Sequence, residues 1–267
     1  MRIALVLTTV LALTTISCGP KKQTQAEIEK AEAEYNYQEA LKNYKIGVNY
    51  LNNNEVLQAI QHLETAVNQD DTNFRYRHGL GLAFSMNGQL EEAESELNRA
   101  LAINPNHSES YNLLGSVYID QERYIEAVEV LKKVIRDKNY GQPQFPYFNL
   151  GLAMRRQDRL TEAVAAFQKV VQIDPSFYRA YIALADIYKQ NGDYDHALYF
   201  YQKAEPGFTN DVSVLYEIGH ALFKLKRYDQ AKTYLAQVSI LFPPPVIDKP
   251  TQEMLRYIEM KRRKALN

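Results

Sequence analysis

The stretch "SESYNLLGSVYIDQERYIEAVEVLKKVI", residues 108–135, decides the fold. It contains two amphipathic runs joined by a short polar segment, a pattern typical of two antiparallel helices. Gly115 lies in the first run, and Ala127 follows twelve residues later in the second. Glycine inside a helix costs about 1 kcal/mol relative to alanine, so it needs a structural reason. We expect the two small residues to let the helices cross closely, with large side chains such as Leu131 beside the crossing.

This pair of small residues recurs along most of the chain. The pairs are Gly47–Ala59, Gly81–Ala93, Gly115–Ala127, Gly151–Ala163 and Gly219–Ala231, with Ala185–Ala197 as a sixth copy. The units begin near Ala40, Phe74, Ser108, Gln144, Tyr178 and Val212, at intervals of 34, 34, 36, 34 and 34 residues. A fixed period of this length predicts an all-α solenoid of six helical hairpins. The pattern is similar to the tetratricopeptide repeat and covers residues 40–243.

Both ends of such an array need a cover, because each hairpin buries one face on its neighbour. Residues 25–39 are rich in Ala and Glu and are expected to extend the first helix. At the other end "FPPPVIDKP", residues 242–250, is expected to break the chain before a capping helix from Thr251 to Ala265. We therefore divide the chain into a signal peptide at 1–17, a tether at 18–24, the array with its helix extension at 25–243, and a linker with capping helix at 244–267.

The composition disfavours several functional classes. The 31 basic and 32 acidic residues nearly balance, so we expect no nucleic-acid-binding surface. The five histidines lack the spacing of a metal site, and no glycine-rich phosphate loop occurs. We therefore expect a protein that is not an enzyme, with no metal, no cofactor and no small-molecule substrate.

The single cysteine lies just after an apolar run. A short basic start, Met1–Arg2, precedes the apolar residues 3–16, and Ser17 stands before Cys18. The run is too short for an ordinary membrane-spanning helix but has the length of a signal-peptide core. It resembles a bacterial lipoprotein signal, in which the cysteine is acylated and becomes the mature N-terminus. A plain secretory signal with an incidental cysteine is the alternative.

The resemblance to the tetratricopeptide repeat implies a concave groove, lined by the first helix of each hairpin at positions two, five, nine and twelve of its unit. The spacing of these positions places them on one face of the helix. Apolar residues at positions that hairpin packing does not use indicate a protein partner. The alternative is that the N-terminal extension or neighbouring repeats cover these apolar residues. A histidine at a groove position is expected to be part of the groove wall. The candidate groove residues are Leu41, Tyr44, Val48, Leu51, Arg75, His78, Leu82, Ile119, Phe145 and Phe148.

The one irregular interval suggests a closer resemblance. The motif residues are Tyr111-Asn112, Gln121, Arg123-Tyr124, Glu126-Ala127, Asp137, Tyr140 and Asn149-Leu150-Gly151. Together with the lipoprotein signal and six repeats, they resemble the type IV pilus biogenesis lipoproteins, the secretin pilotins of the PilF, PilW and Tgl type. The resemblance implies an outer-membrane protein facing the periplasm, anchored by lipid on Cys18, that binds the secretin subunit and promotes its assembly.

Two points stay open at this stage. The partner segment is expected to be a short amphipathic helix bound in the N-terminal half of the groove, with Phe145 and Phe148 as a competing site. The alternative function is a general tetratricopeptide scaffold lipoprotein that serves β-barrel assembly, cell-wall enzymes or motility.

Overall fold

The computed structural model describes residues 24–266, with side chains up to Lys264. Over these residues the chain forms thirteen α-helices and one 3-10 turn at Glu205–Gly207, without any strand. The helices are α1 (Gln25–Asn52), α2 (Val56–Gln69), α3 (Phe74–Met86), α4 (Leu90–Ile103), α5 (Ser108–Asp120), α6 (Tyr124–Arg136), α7 (Gln144–Arg156), α8 (Leu160–Ile173), α9 (Tyr178–Gln190), α10 (Tyr194–Ala204), α11 (Val212–Lys224), α12 (Tyr228–Ile240) and α13 (Pro245–Leu266). The predicted all-α solenoid of six hairpins with a helix extension and a capping helix is confirmed.

The hairpins stack in chain order. Each odd-numbered helix from α1 to α11 packs against the next helix, and each second helix packs against the first helix of the following hairpin. The first helices also contact one another directly at α1–α3, α3–α5 and α5–α7. The buried side chains form two clusters, one from Ala40 to Ile187 and one from Ala185 to Ile258. The core is therefore elongated along the array, as a solenoid requires.

The helix crossings explain the repeated glycines. A Cβ atom built on Gly115 would lie 2.6 Å from Cγ of Leu131, and one on Gly151 would lie 2.6 Å from Cε1 of Phe167. Such distances are too short for a real contact, so a side chain at either glycine would displace the large residue. Each of the five repeated glycines lies against the large side chain that follows it by sixteen residues. These side chains are Leu63, Leu97, Leu131, Phe167 and Leu235. The prediction that these glycines permit a close crossing is confirmed.

The turn inside each hairpin needs one residue with a positive φ. Gly88 and Gly192 have φ values of 77° and 75° at this place. The other four turns use non-glycine residues, at a cost of about 1–2 kcal/mol each for the left-handed conformation. These residues are Asn54, Glu122, Asp158 and Lys226, with φ between 59° and 62°.

The capping helix begins earlier than the sequence predicts. It starts at Pro245 rather than Thr251, because proline is tolerated where no helical N–H bond is required. The N–H groups of Ile247 and Asp248 donate to the carbonyl of Pro244 at 2.8 and 2.9 Å and open the helix. Pro250 lies near the start of α13, so its missing N–H removes only one backbone hydrogen bond of the helix. The predicted cover of the last repeat is present, with Met254 and Ile258 buried.

The N-terminal extension is a continuous part of α1. The Thr24 side chain accepts a hydrogen bond from the N–H of Glu27, whose carboxylate accepts one in return from the N–H of Thr24. This capping box starts the helix, and every residue from Gln25 to Gln38 is exposed. The predicted signal peptide and Cys18 lie outside the described residues. Within residues 24–266, no helix is both long enough and apolar enough to cross a bilayer.

We expect Gly115→Ala to lower the free energy of unfolding by about 1–3 kcal/mol, because the new methyl group overpacks the crossing with Leu131. Helix propensity alone predicts the opposite, a gain of about 1 kcal/mol. The sign of the change in the free energy of unfolding therefore shows whether overpacking or helix propensity dominates. Urea unfolding of the purified variant measures it.

Gly141→Ala is the matched control, because a Cβ there would meet nothing within 4 Å. It is expected to be neutral or slightly stabilising. Combining Gly115→Ala with Leu131→Ala should cost less than the sum of the single variants, since the clash then disappears. Additive losses would show that Gly115 and Leu131 do not share a crossing.

Candidate protein-binding groove

The predicted groove residues differ in how much surface they offer. We call positions two, five, nine and twelve of the six first helices the groove face. Arg75 and Phe145 are exposed there, while Leu41, Tyr44, Val48, His78, Leu82 and Ile119 are half-buried. The remaining two, Leu51 and Phe148, are buried, with 9% and 7% of their surface exposed.

The expectation that Leu51 and Phe148 offer open surface for a partner is wrong, and the helix geometry gives the reason. Leu51 follows Gly47 by one helical turn, so it points towards the crossing of its own hairpin. The ring of Phe148 lies 5.5 Å from that of Phe167, which fills the crossing of the same hairpin at Gly151. Both side chains therefore belong to the core, and their polar substitution would unfold the hairpin.

The N-terminal end of the groove face is apolar. The ring of Tyr44 lies 4.9 Å from that of Tyr76 and joins the first hairpin to the second. Gly79 makes room for it, because a Cβ there would lie 3.3 Å from Cε2 of Tyr44. Leu41 and Val48 lie one turn before and after Tyr44 on α1, outside the core clusters. These two residues offer apolar surface whose loss would not open the core.

A histidine pair lies in the wall between the second and third hairpins. The Nδ1 atoms of His78 and His107 lie 3.0 and 2.7 Å from the Ser110 hydroxyl oxygen. Burial lowers the pKa of His78 to about 4, and the neighbouring His107 contributes in the same direction. Burial also lowers the pKa of His107. Ser110 is fully buried, so its hydroxyl is closed to any substrate and the pair is structural.

The irregular connection after α6 is organised by one carboxylate. Asp137 accepts a hydrogen bond from the Ser108 hydroxyl at 2.5 Å and another from the N–H of Asn139 at 2.9 Å. These bonds lower the pKa of Asp137. On the following helix Phe145 meets Phe177 edge-on, with ring centroids 5.8 Å apart. Asp137 thus fixes the start of this connection, and Phe177 of the next connection covers one side of the exposed Phe145 ring.

The C-terminal half of the groove face carries paired charges. Arg155 lies with Nη1 3.7 Å from Oδ2 of Asp186, and Nζ of Lys189 lies 2.8 Å from Oε1 of Glu217. The second Glu217 oxygen and Nδ1 of His220 are buried, 3.9 Å apart, and lack hydrogen-bond partners among the described residues. Burial lowers the pKa of His220.

A cleft of about 330 Å³ adjoins these charges, between α11 and α13. The sequence prediction missed it, because α13 supplies half of its wall and the contact between α11 and α13 appears only in the fold. The helical spacing of Pro250, Met254 and Tyr257 is the signal that could have found it. The cleft is lined by Tyr216, His220, Phe223, Lys224, Pro250, Glu253, Met254 and Tyr257.

Known protein families agree with this architecture. A family model described as "Tetratricopeptide repeat" matches residues 50–117 and 84–140. The fold is that of a tetratricopeptide-repeat solenoid. A second model, "Anaphase-promoting complex, cyclosome, subunit 3", matches residues 156–238. Among residues 24–266, no group of three or more His, Cys, Asp or Glu side chains is arranged to hold a metal ion.

Two relatives match this chain over different lengths. Type IV pilus assembly protein PilF of Pseudomonas aeruginosa is 25% identical over 246 residues, which cover 91% of this chain and 94% of PilF. Human Protein O-mannosyl-transferase TMTC1 is 26% identical over 165 residues, or 60% of this chain. The chain spans only 18% of the length of TMTC1, so that match concerns the repeats and not the whole transferase.

Solved structures show the same tetratricopeptide fold. The structure titled "Functional Characterization of Pseudomonas Aeruginosa pilF" has a TM-score of 0.72 at 21% identity, covering 82% of this chain and 98% of that one. PilW, titled a widely conserved type IV pilus biogenesis factor, has a TM-score of 0.71 at 20% identity, covering 82% and 97%. The chain is thus similar, at low identity, to type IV pilus assembly proteins along nearly their whole length.

The histidine pair predicts a pH dependence of stability. The folded chain holds His78 neutral down to about pH 4, whereas the unfolded chain binds a proton near pH 6.5. The contribution of His78 to the free energy of unfolding is therefore fully present above about pH 6.5. It falls by at most about 3 kcal/mol as the pH drops to 4. Urea unfolding at several pH values measures the slope.

His78→Gln is the control, because glutamine can bond to Ser110 without titrating. We expect this variant to flatten the slope between pH 6.5 and 4. An unchanged slope would mean that His78 is solvated in the folded protein.

Proposed function

We propose that this chain is an outer-membrane lipoprotein that binds the secretin subunit of the type IV pilus machinery and promotes its localisation and multimer assembly. The observation that carries the proposal is the match to type IV pilus assembly protein PilF, which extends over 91% of this chain and 94% of PilF. The match to TMTC1, in contrast, covers only 18% of that longer protein. The chain acts as a scaffold and not as an enzyme.

The groove face supports a helical partner segment at the N-terminal end. Leu41 and Val48 on α1, Leu82 on α3 and Ile119 on α5 present half-buried apolar side chains on helices that contact one another. An amphipathic helix presents apolar anchors at i, i+3, i+4 and i+7, which matches such a surface. The C-terminal half suits this segment less well, because its charges already pair with each other.

The N-terminal segment supports a position close to a membrane. Lipid chains on Cys18 would contribute about 0.8 kcal/mol per buried CH₂, and two or more chains give stable anchoring. The six residues to Thr24 can span at most about 20 Å. The extension at 25–39, exposed up to Gln38, adds about 22 Å as a helix. The first hairpin would therefore operate within about 40 Å of the bilayer, where a secretin subunit inserts.

The groove prediction is tested with Leu41→Glu combined with Val48→Glu. We expect at least a tenfold loss of secretin co-purified from solubilised outer membranes, and loss of secretin multimers, because two charges would be buried under an apolar helix. The thermal unfolding midpoint should stay within a few degrees, since neither residue belongs to the core clusters.

Leu57→Glu with Ile125→Glu is the matched control, because both side chains are exposed on second helices, at 63% and 70%. This control should retain secretin. If the groove variant retains secretin while Phe145→Glu loses it, the binding site lies in the middle of the array. If another envelope protein is lost from the groove variant instead, the chain is a scaffold for that complex.

The anchor is tested separately with Cys18→Ala. Cells supplied with a labelled fatty acid should label the unmodified protein, whereas the variant should remain unlabelled and be released with the periplasmic fraction. Labelling that persists in the variant would contradict the anchor and leave the groove prediction intact.

A further inference from the structure

The connection between α12 and α13 exposes three large apolar side chains. Phe242 is 94% exposed, Val246 80% and Ile240 73%, the three highest values for large apolar side chains in the part of the chain that the structure describes. The eight residues from 240 to 247, "ILFPPPVI", contain no charged side chain. We call this segment the apolar tip. An apolar cluster of this kind marks an interaction surface.

The backbone presents the apolar tip in a fixed form. Phe242 has a φ of 51°, a left-handed conformation that a bulky residue adopts only when its surroundings impose it. Three prolines follow at 243–245, and each fixes its own φ. The first bonds of α13 to the carbonyl of Pro244 hold the other side of the segment.

The outer face of α13 continues from this tip and is basic. The buried face of the helix contains Thr251, Met254 and Ile258, which point into the array. The opposite face contains Val246 and Met260, the basic residues Lys249, Arg256, Arg263 and Lys264, and two acids, Glu253 and Glu259, of which Glu259 pairs with Lys232 of α12. Among the described residues, none of these four cations lies within ion-pair distance of a carboxylate.

We propose that the apolar tip and the basic outer face of α13 bind together to an anionic lipid bilayer. The tip would enter the interfacial region, where Phe, Ile and Val lose contact with water, and the cations would lie on the headgroups. The charge pattern selects lipid as the occupant, because an uncharged tip beside unpaired cations matches the apolar and anionic layers of a bilayer. This contact is additional to the lipid on Cys18 and does not depend on the identity of the protein partner.

The absence of tryptophan from the chain gives a direct test. A chain beginning at Gly19 contains the whole array, since the buried core residues extend from Ala40 to Ile258. In this chain Phe242→Trp places a single indole on the tip. With vesicles of phosphatidylcholine and phosphatidylglycerol, we expect a blue shift of its emission and quenching by brominated acyl chains. Ile125→Trp, exposed on α6, is the matched control and should keep the emission of a water-exposed indole.

The basic face is tested in the same assay. Phosphatidylcholine vesicles alone, or high salt, should abolish the shift, because the attraction to headgroups is then absent or screened. Arg256→Ser and Arg263→Ser should each weaken partitioning about fivefold. Sedimentation with vesicles is also measured for the protein without tryptophan and for the double variant Ile240→Ser, Phe242→Ser. This comparison checks that the introduced indole does not itself create the binding.

Three results would overturn the proposal. The first is an indole of the Phe242→Trp variant that stays unquenched in anionic vesicles. The second is binding to phosphatidylcholine that neither salt nor the arginine substitutions change. The third is a blue shift that grows with protein concentration without vesicles, which would show that a second copy of the chain covers the apolar tip.

Discussion

The close crossing of the two helices in each hairpin is the constraint on which the rest of the structure depends. In five hairpins the first helix has no side chain at the crossing, and a large side chain of the second helix fills the space. The fifth hairpin meets the same constraint differently. There Ala185 takes the place of glycine, and Tyr201 is buried with its hydroxyl donating to Asp186 at 2.6 Å. Burial and this neighbouring carboxylate raise the pKa of Tyr201 well above its ordinary value.

The crossings could be predicted from sequence because their signal is local and repeated. Five of the first helices begin at the residues where the units were expected to start, from Phe74 to Val212. The burial of Phe148 was not predictable, since it depends on Phe167 and Phe177, which the fold brings to it from the fourth hairpin's second helix and the next connection. The three consecutive prolines predict a break before α13, whereas the helix begins at the third of them, because proline suits the first turn of a helix.

In the candidate site, too, the sequence shows the features that depend on local pattern but not those that depend on tertiary contacts. The apolar character of Leu41 and Val48 is visible in the sequence, and the structure leaves both half-buried. The pairing of Lys189 with Glu217 joins two hairpins and appears only in the fold. The groove face therefore has an apolar end that offers surface and a charged end where Arg155 and Lys189 lie beside carboxylates of the neighbouring hairpins. Under the proposed function, this asymmetry would give a partner helix one preferred end of the array.

The N-terminal extension of α1 has a mechanical consequence. Its residues from Gln25 to Gln38 are exposed on all sides, so little beyond the capping box and the continuation into the first hairpin holds them helical. An isolated helix of fewer than about 12–15 residues is marginally stable in water. Under a pulling force the segment would unwind before the hairpins do, and its length would rise from about 22 Å to about 50 Å. A chain fixed at Cys18 would thus carry a compliant element in series with a stiff array, which limits the force that reaches the bound partner.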